Sequence, residues 1–149
     1  MKTISLGVEG MTLENLIAIA RGGAKVKLTA DAEKQIQKSR HLIERWVQDE
    51  KTIYGITTGF GALSDVAISK ADTRVLQKIS LMSHSAGVCR FFFEDTVRAI
   101  LALRIKDLAR GNSGIRLSTV QQRAALLIWR VCPLIPEKGS VGASGDLAP

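Results

Sequence analysis

A mainly α-helical domain is predicted from three features of this chain. Hydrophobic residues fill 46% of its 149 positions but aromatics only 5%, so the core must come from Leu, Ile, Val and Ala. That mix suits helices better than a sandwich of strands. Apolar residues also recur at three- and four-residue spacing over several long windows, and cap or stop residues bracket those windows.

Thr12 is placed to cap a helix that carries Leu13, Leu16, Ile17 and Ala20 on one face, with Gly22-Gly23 as its stop. A second helix is expected after Thr29 and to about Gln48, with Ile36, Ile43, Trp46 and Val47 as its apolar positions. The pattern then changes. Thr52-Ile53-Tyr54 is β-branched and aromatic, and reads as a short strand or extended segment. It runs into Gly55-Ile56-Thr57-Thr58-Gly59-Phe60-Gly61, where three glycines in seven residues argue for a loop.

Helices resume after Ser69, with Val75, Leu76, Ile79, Met82 and Ser83 on one side. Another spans about Phe93 to Ala109, with Val97, Ile100, Leu101 and Leu108 inward and Gly111 ending it. Ser118-Thr119-Val120-Gln121 reads as a capping box that opens a helix to about Val131, closed by Pro133 and Pro136.

The formal charge is +7, but Lys and Arg are scattered singly and lack interleaved aromatics, which argues against a nucleic-acid-binding face. A mildly positive field also suits carboxylate substrates. Cys89 and Cys132 lie far apart, outside any CxxC or His-rich cluster, so free buried thiols are expected rather than a disulfide or zinc site. No apolar signal core follows Met1, and no stretch is long enough to span a membrane, so a cytoplasmic setting without membrane partners is expected. Neither a metal-ligand cluster nor a phosphate loop is present, so no metal or nucleotide cofactor is expected.

The tail holds Ala143-Ser144-Gly145, which can undergo a backbone reaction. The Gly145 amide nitrogen attacks the Ala143 carbonyl carbon to close a five-membered ring. Loss of that oxygen and of the Ser144 hydroxyl, as two waters, leaves an imidazolone with an exocyclic methylene. Gly145 permits the tight turn, Ser144 provides the leaving hydroxyl, and Ala143 is small enough to fit. The tripeptide alone is also an ordinary turn at a helix start. The chain ends on this glycine loop at the apparent start of a further helix, and is expected to be truncated there.

Four blocks lift the tripeptide above chance. Gly139 to Pro149, Tyr54 to Gly61, Ser83-His84-Ser85-Ala86-Gly87 and Arg110 to Arg116 together resemble the histidine/phenylalanine ammonia-lyase family, in order and in spacing. The resemblance implies that residues 1–149 are the N-terminal part of a longer enzyme that continues into a long helical bundle. It implies a methylideneimidazolone formed from Ala143, Ser144 and Gly145, a homotetramer, and active sites shared among three subunits.

The implied reaction is elimination of ammonia from an aromatic L-amino acid, with histidine to urocanate first. A tyrosine or phenylalanine lyase or aminomutase is the alternative, as is an inactive fragment that serves assembly. By the resemblance Tyr54 is the base that removes the β-proton; a phenol, with its unperturbed pKa near ~10, needs help from its surroundings for that task. A Tyr packing at a strand end is the plainer reading. The Gly59-Phe60-Gly61 stretch is the implied lid. The resemblance also implies that Ser83 and His84 face the substrate side chain, Ser-His being the pair typical of histidine lyases; a lone His at a helix end is otherwise a satisfied core or capping residue. Gly61 and Leu147 complete the implied substrate contacts, although Leu147 also reads as packing. Thr57 departs from the Asn usual in histidine lyases and matches the phenylalanine and tyrosine forms. Asn112 and Ser113 shape the cofactor loop in this reading, or else form a helix-to-helix turn.

Overall fold

The computed structural model describes residues 2–59 and 66–139, with the side chains of Lys70, Ala71, Thr73 and Arg74 outside that description. Five helices dominate these residues: α1 (Leu13–Ala20), α2 (Ala30–Gln48), α3 (Lys70–His84), α4 (Glu94–Leu108) and α5 (Leu117–Trp129). Four short strands accompany them: β1 (Thr3–Leu6), β2 (Lys25–Leu28), β3 (Val88–Phe91) and β4 (Pro136–Lys138). The mainly α expectation therefore holds.

The chain divides into two compact units. The first joins Met1–His41 to Phe92–Leu134, and the second joins Leu42–Phe91 to the segment that begins at Ile135. In the first, β1 and β2 pair in parallel across α1, with Ile4 opposite Val26 and Leu6 opposite Leu28. Alternation puts Ile4, Leu6 and Val26 on the buried face. Helix α4 packs on α1 and α5, and α5 packs on β2. Between them Ile19, Val97, Leu101, Ile105, Val120 and Leu127 are buried, as is Ile36 of α2, and each large one contributes about 1.5–3 kcal/mol by leaving water. Among the described residues, every buried apolar side chain belongs to this unit.

Arg98 lies inside that core, 3% exposed. Its Nε and Nη2 donate to the Ile19 carbonyl at 3.1 and 2.9 Å, Nε also to Ala20 at 3.2 Å, and Nη1 to Leu127 at 3.1 Å. Those carbonyls close the last turns of α1 and α5, where intrahelical donors run out and the helix dipole is negative. One guanidinium thus satisfies both helix ends. Gly111 follows α4 with φ +73°, and a Cβ there would come within 2.6 Å of the Gln35 backbone. Both the left-handed turn and the approach of α2 require glycine.

Three expectations are corrected. Thr52-Ile53-Tyr54 does not form a strand: residues 51–53 are irregular, Tyr54 to Thr57 form a hydrogen-bonded turn, and the strands lie elsewhere. The turn wins because Thr side chains capture the backbone that a ladder would use. Ser118-Thr119-Val120-Gln121 is no capping box, since α5 already begins at Leu117 with Arg116 at its N-cap and no side-chain cap bond. Cys89 and Cys132 are free, but Cys89 is exposed and Cys132 half-buried. The helix boundaries otherwise follow the sequence reading, including the Thr12 cap, whose hydroxyl accepts from the Asn15 N–H at 3.3 Å.

Two substitutions test the first unit. Arg98→Met keeps the volume but strips three carbonyls of their donor, and is expected to lower unfolding stability by about 2–4 kcal/mol in denaturant titration. Gly111→Ala is expected to cost about 1–3 kcal/mol by the same measurement, without changing the denaturant slope.

Candidate functional site

Tyr54 stands on a turn that is built from its own threonines. The Thr57 hydroxyl accepts from the Ile53 N–H at 2.9 Å and donates to the Lys51 carbonyl. The Thr58 hydroxyl accepts from the Gly55 N–H at 3.2 Å and donates to the Gly59 carbonyl at 2.9 Å. Backbone bonds from Ile56 and Thr57 to the Ile53 carbonyl, at 3.1 and 3.0 Å, tighten the same turn. Gly55 takes φ +70°, which a side chain would resist. A second strip then anchors the loop: the Ile68 N–H donates to the Thr57 carbonyl at 2.8 Å, and Thr58 bridges Ala67.

Burial follows from this network. Thr58 is 0% exposed and Thr57 nearly so, because their hydroxyls are satisfied on both sides. Tyr54, on the outer corner of the turn, is 62% exposed. The turn therefore presents a phenol while hiding the groups that hold it. A cavity of about 380 Å³ lies on the inner side, lined by Val47, Glu50, Thr52, Thr57, Ala67, Ile68 and Ser69. Tyr54 is not in its lining.

Ser83 and His84 end α3, which Ser69 opens by accepting from the Asp72 N–H. The Ser83 hydroxyl donates to the Ser80 carbonyl at 3.0 Å, and His84 Nδ1 lies 2.8 Å from that carbonyl and 2.8 Å from the Ser83 Oγ. Ser85 donates to the Leu81 carbonyl. These side chains occupy the acceptors that a helix C-terminus leaves open. Gly87, in the same block, packs on the Pro136 ring, as β3 pairs antiparallel with β4. Along α3, Val75, Ile79 and Met82 form an i, i+4, i+7 stripe that is exposed.

Tyr54, Ser83 and His84 all belong to the second unit. Ala143, Ser144, Gly145, Gly61 and Leu147 lie outside the described residues, as does Phe60. Asn112 and Ser113 are exposed in the connection between α4 and α5, where the Ser113 hydroxyl accepts from the Ile115 N–H at 3.4 Å; that is the helix-to-helix turn. Among the described residues, no three His, Cys, Asp or Glu side chains gather as a metal site, and no helix is long and apolar enough to cross a membrane. Sequence reasoning missed the work of Thr57 and Thr58. Their position two and three residues after a glycine, in a stretch with no apolar period, was the available signal.

A family model described as aromatic amino acid lyase matches residues 11–149. The chain is 48% identical over 149 residues to a histidine ammonia-lyase of Caldanaerobacter subterraneus, covering 100% of this chain and 29% of that protein. Among solved structures, tyrosine aminomutase from Streptomyces globisporus superposes with a TM-score of 0.89 at 37% identity, over 99% of this chain and 27% of that one. Histidine ammonia-lyase from Trypanosoma cruzi gives 0.86 at 36% identity, over 99% and 28%. The chain thus spans under a third of the length of the curated relatives it matches.

The threonine network makes a local prediction. Thr58→Val preserves shape but leaves the Gly55 N–H and the Gly59 carbonyl without partners. Amide exchange at residues 53–59 should quicken roughly five- to tenfold, the equivalent of about 1–1.4 kcal/mol, whereas Thr57→Ser should leave it unchanged.

Proposed function

Since this chain belongs to the aromatic amino acid lyase family, we propose that the protein of which it is the N-terminal part eliminates ammonia from an aromatic L-amino acid, histidine first. The observation that carries this reading is the Tyr54 turn: a phenol raised on a rigid, polar-satisfied corner in the same unit as the Ser83–His84 pair. Ala143, Ser144 and Gly145 would provide the atoms of the family's electrophile, a methylideneimidazolone, which would supply a centre that turns the substrate amine into a leaving group. Those three residues contain what the ring needs: a glycine nitrogen, a small carbonyl donor and a serine hydroxyl that departs as water.

The chain's own side chains divide the remaining work. The Tyr54 oxygen, as the phenolate, takes the proton from the substrate β-carbon and becomes the phenol; the C–H electrons become the new double bond as the Cα–N bond breaks and ammonia departs. A weakly acidic proton demands close placement of the base, and the pinned turn supplies that placement. His84, held beside Ser83, meets the substrate ring, which favours histidine. Thr57 does not speak against histidine, because its hydroxyl is used by the Lys51 and Ile53 backbone rather than offered to a substrate.

Tyrosine is the second reading, favoured by the similarity to a tyrosine aminomutase. A homotetramer in the cytoplasm belongs to the same proposal. The exposed Val75, Ile79 and Met82 stripe supports further burial by the rest of the polypeptide or by other copies.

Two measurements on the full-length protein test the reading. Peptide mapping of residues 139–149 should find a mass lower by two waters at Ala143-Ser144-Gly145, and ammonia release should be fastest with histidine in a panel with tyrosine and phenylalanine. Tyr54→Phe should keep the mass change yet lower kcat by roughly 10²–10⁴. An unmodified tripeptide in the full-length protein would sink the proposal.

A further inference from the structure

Three heavy atoms in the last turn of α3 specify where a proton sits. His84 Nδ1 is 2.8 Å from the Ser80 carbonyl oxygen, which can only accept. Two lone pairs at that distance repel, so Nδ1 must carry hydrogen. The neighbouring hydroxyl agrees: Ser83 Oγ donates to the same carbonyl at 3.0 Å, so its own proton is committed and it faces Nδ1, at 2.8 Å, as an acceptor. A neutral imidazole has one ring proton. With that proton on Nδ1, Nε2 is a bare acceptor.

We propose that the Ser80 carbonyl and the Ser83 hydroxyl lock His84 as the Nδ1–H tautomer, so that Nε2 accepts a hydrogen bond from an N–H or O–H on the substrate ring. The proposal rests on the reading of His84 as the residue that meets that ring. It makes Ser83 a positioning residue that acts through His84 rather than a contact in its own right. An imidazole in the Nε2–H form, the form preferred in free histidine, would instead present a donor, which a substrate ring would have to meet with a lone pair. Ring-donor amino acids, histidine and tyrosine, fall on one side of this selection, and phenylalanine falls on the other.

Magic-angle-spinning ¹⁵N spectra of the full-length protein labelled at histidine read the tautomer directly, with His84→Gln identifying the His84 signals by their loss. The expected spectrum has a protonated Nδ1 and a bare Nε2 for His84, and Ser83→Ala should convert part of the signal to the opposite tautomer while Ser83→Thr restores it. In kinetics, Ser83→Ala should lower the ratio of kcat/KM for histidine over phenylalanine by about two- to tenfold, and His84→Leu by about tenfold or more. His84→Gln, which places an amide oxygen near the Nε2 position, should retain most of the preference. A protonated Nε2 in the wild type overturns the inference, as does an equal loss on both substrates in Ser83→Ala, which a merely structural serine gives. If the wild type releases no ammonia from any amino acid, the lyase reading fails, and the spectra still decide the tautomer.

Discussion

The buried guanidinium of Arg98 is the interaction on which the rest of the first unit depends. A charge in that position costs far more than its packing returns unless its donors are met. Here they are met by the Ile19, Ala20 and Leu127 carbonyls, at the negative ends of two helices. The arrangement fixes α1 and α5 against α4 by their ends, while apolar burial fixes them by their faces. Helix ends inside a protein need such partners, and Arg98 serves two with one side chain. The parallel β1–β2 pair then has a defined place, because α1 is the connection between its strands and α5 packs on β2.

The second unit is held differently. Its described buried side chains are Thr57 and Thr58 rather than Leu or Ile. Order in the Tyr54 turn comes from hydroxyls that accept from one backbone group and donate to another. Such a network is directional, where apolar contact is not, and it holds the Tyr54 backbone in one conformation. The end of α3 repeats the device. Ser83, His84 and Ser85 saturate carbonyls that the helix leaves open, and the saturation itself orients the imidazole.

Helices were legible wherever periodicity and caps agreed. Thr12, Thr29, Ser69 and Gly111 mark boundaries that the structure keeps, because cap chemistry acts within one turn and needs no distant partner. Local signals failed where they competed. Ser118-Thr119-Val120-Gln121 has the spelling of a capping box, but the apolar face of α5 starts earlier, and burial of Val120, Ala124 and Leu127 sets the phase. Thr52-Ile53-Tyr54 has β-formers, but among the described residues no strand pairs with it, and its backbone is taken by the threonines that follow. Four-residue strands such as Thr3–Leu6 and Lys25–Leu28 are too short for alternation to stand out, and only their mutual pairing reveals them.

The sequence by itself determined the helical class, the helix boundaries and the identity of the chemically special blocks, since residue order at short range carries propensity, caps and motif spelling. It also singled out Tyr54, Ser83 and His84 through the resemblance of those blocks to a known family. Only the tertiary structure decided that Arg98 is interior, and that Thr57 and Thr58 of the Tyr54 turn are buried. Each of these rests on where a hydrogen-bonding group meets its acceptor in space. Arg98 and Ile19 are 79 positions apart in the chain, and no local pattern records such a meeting.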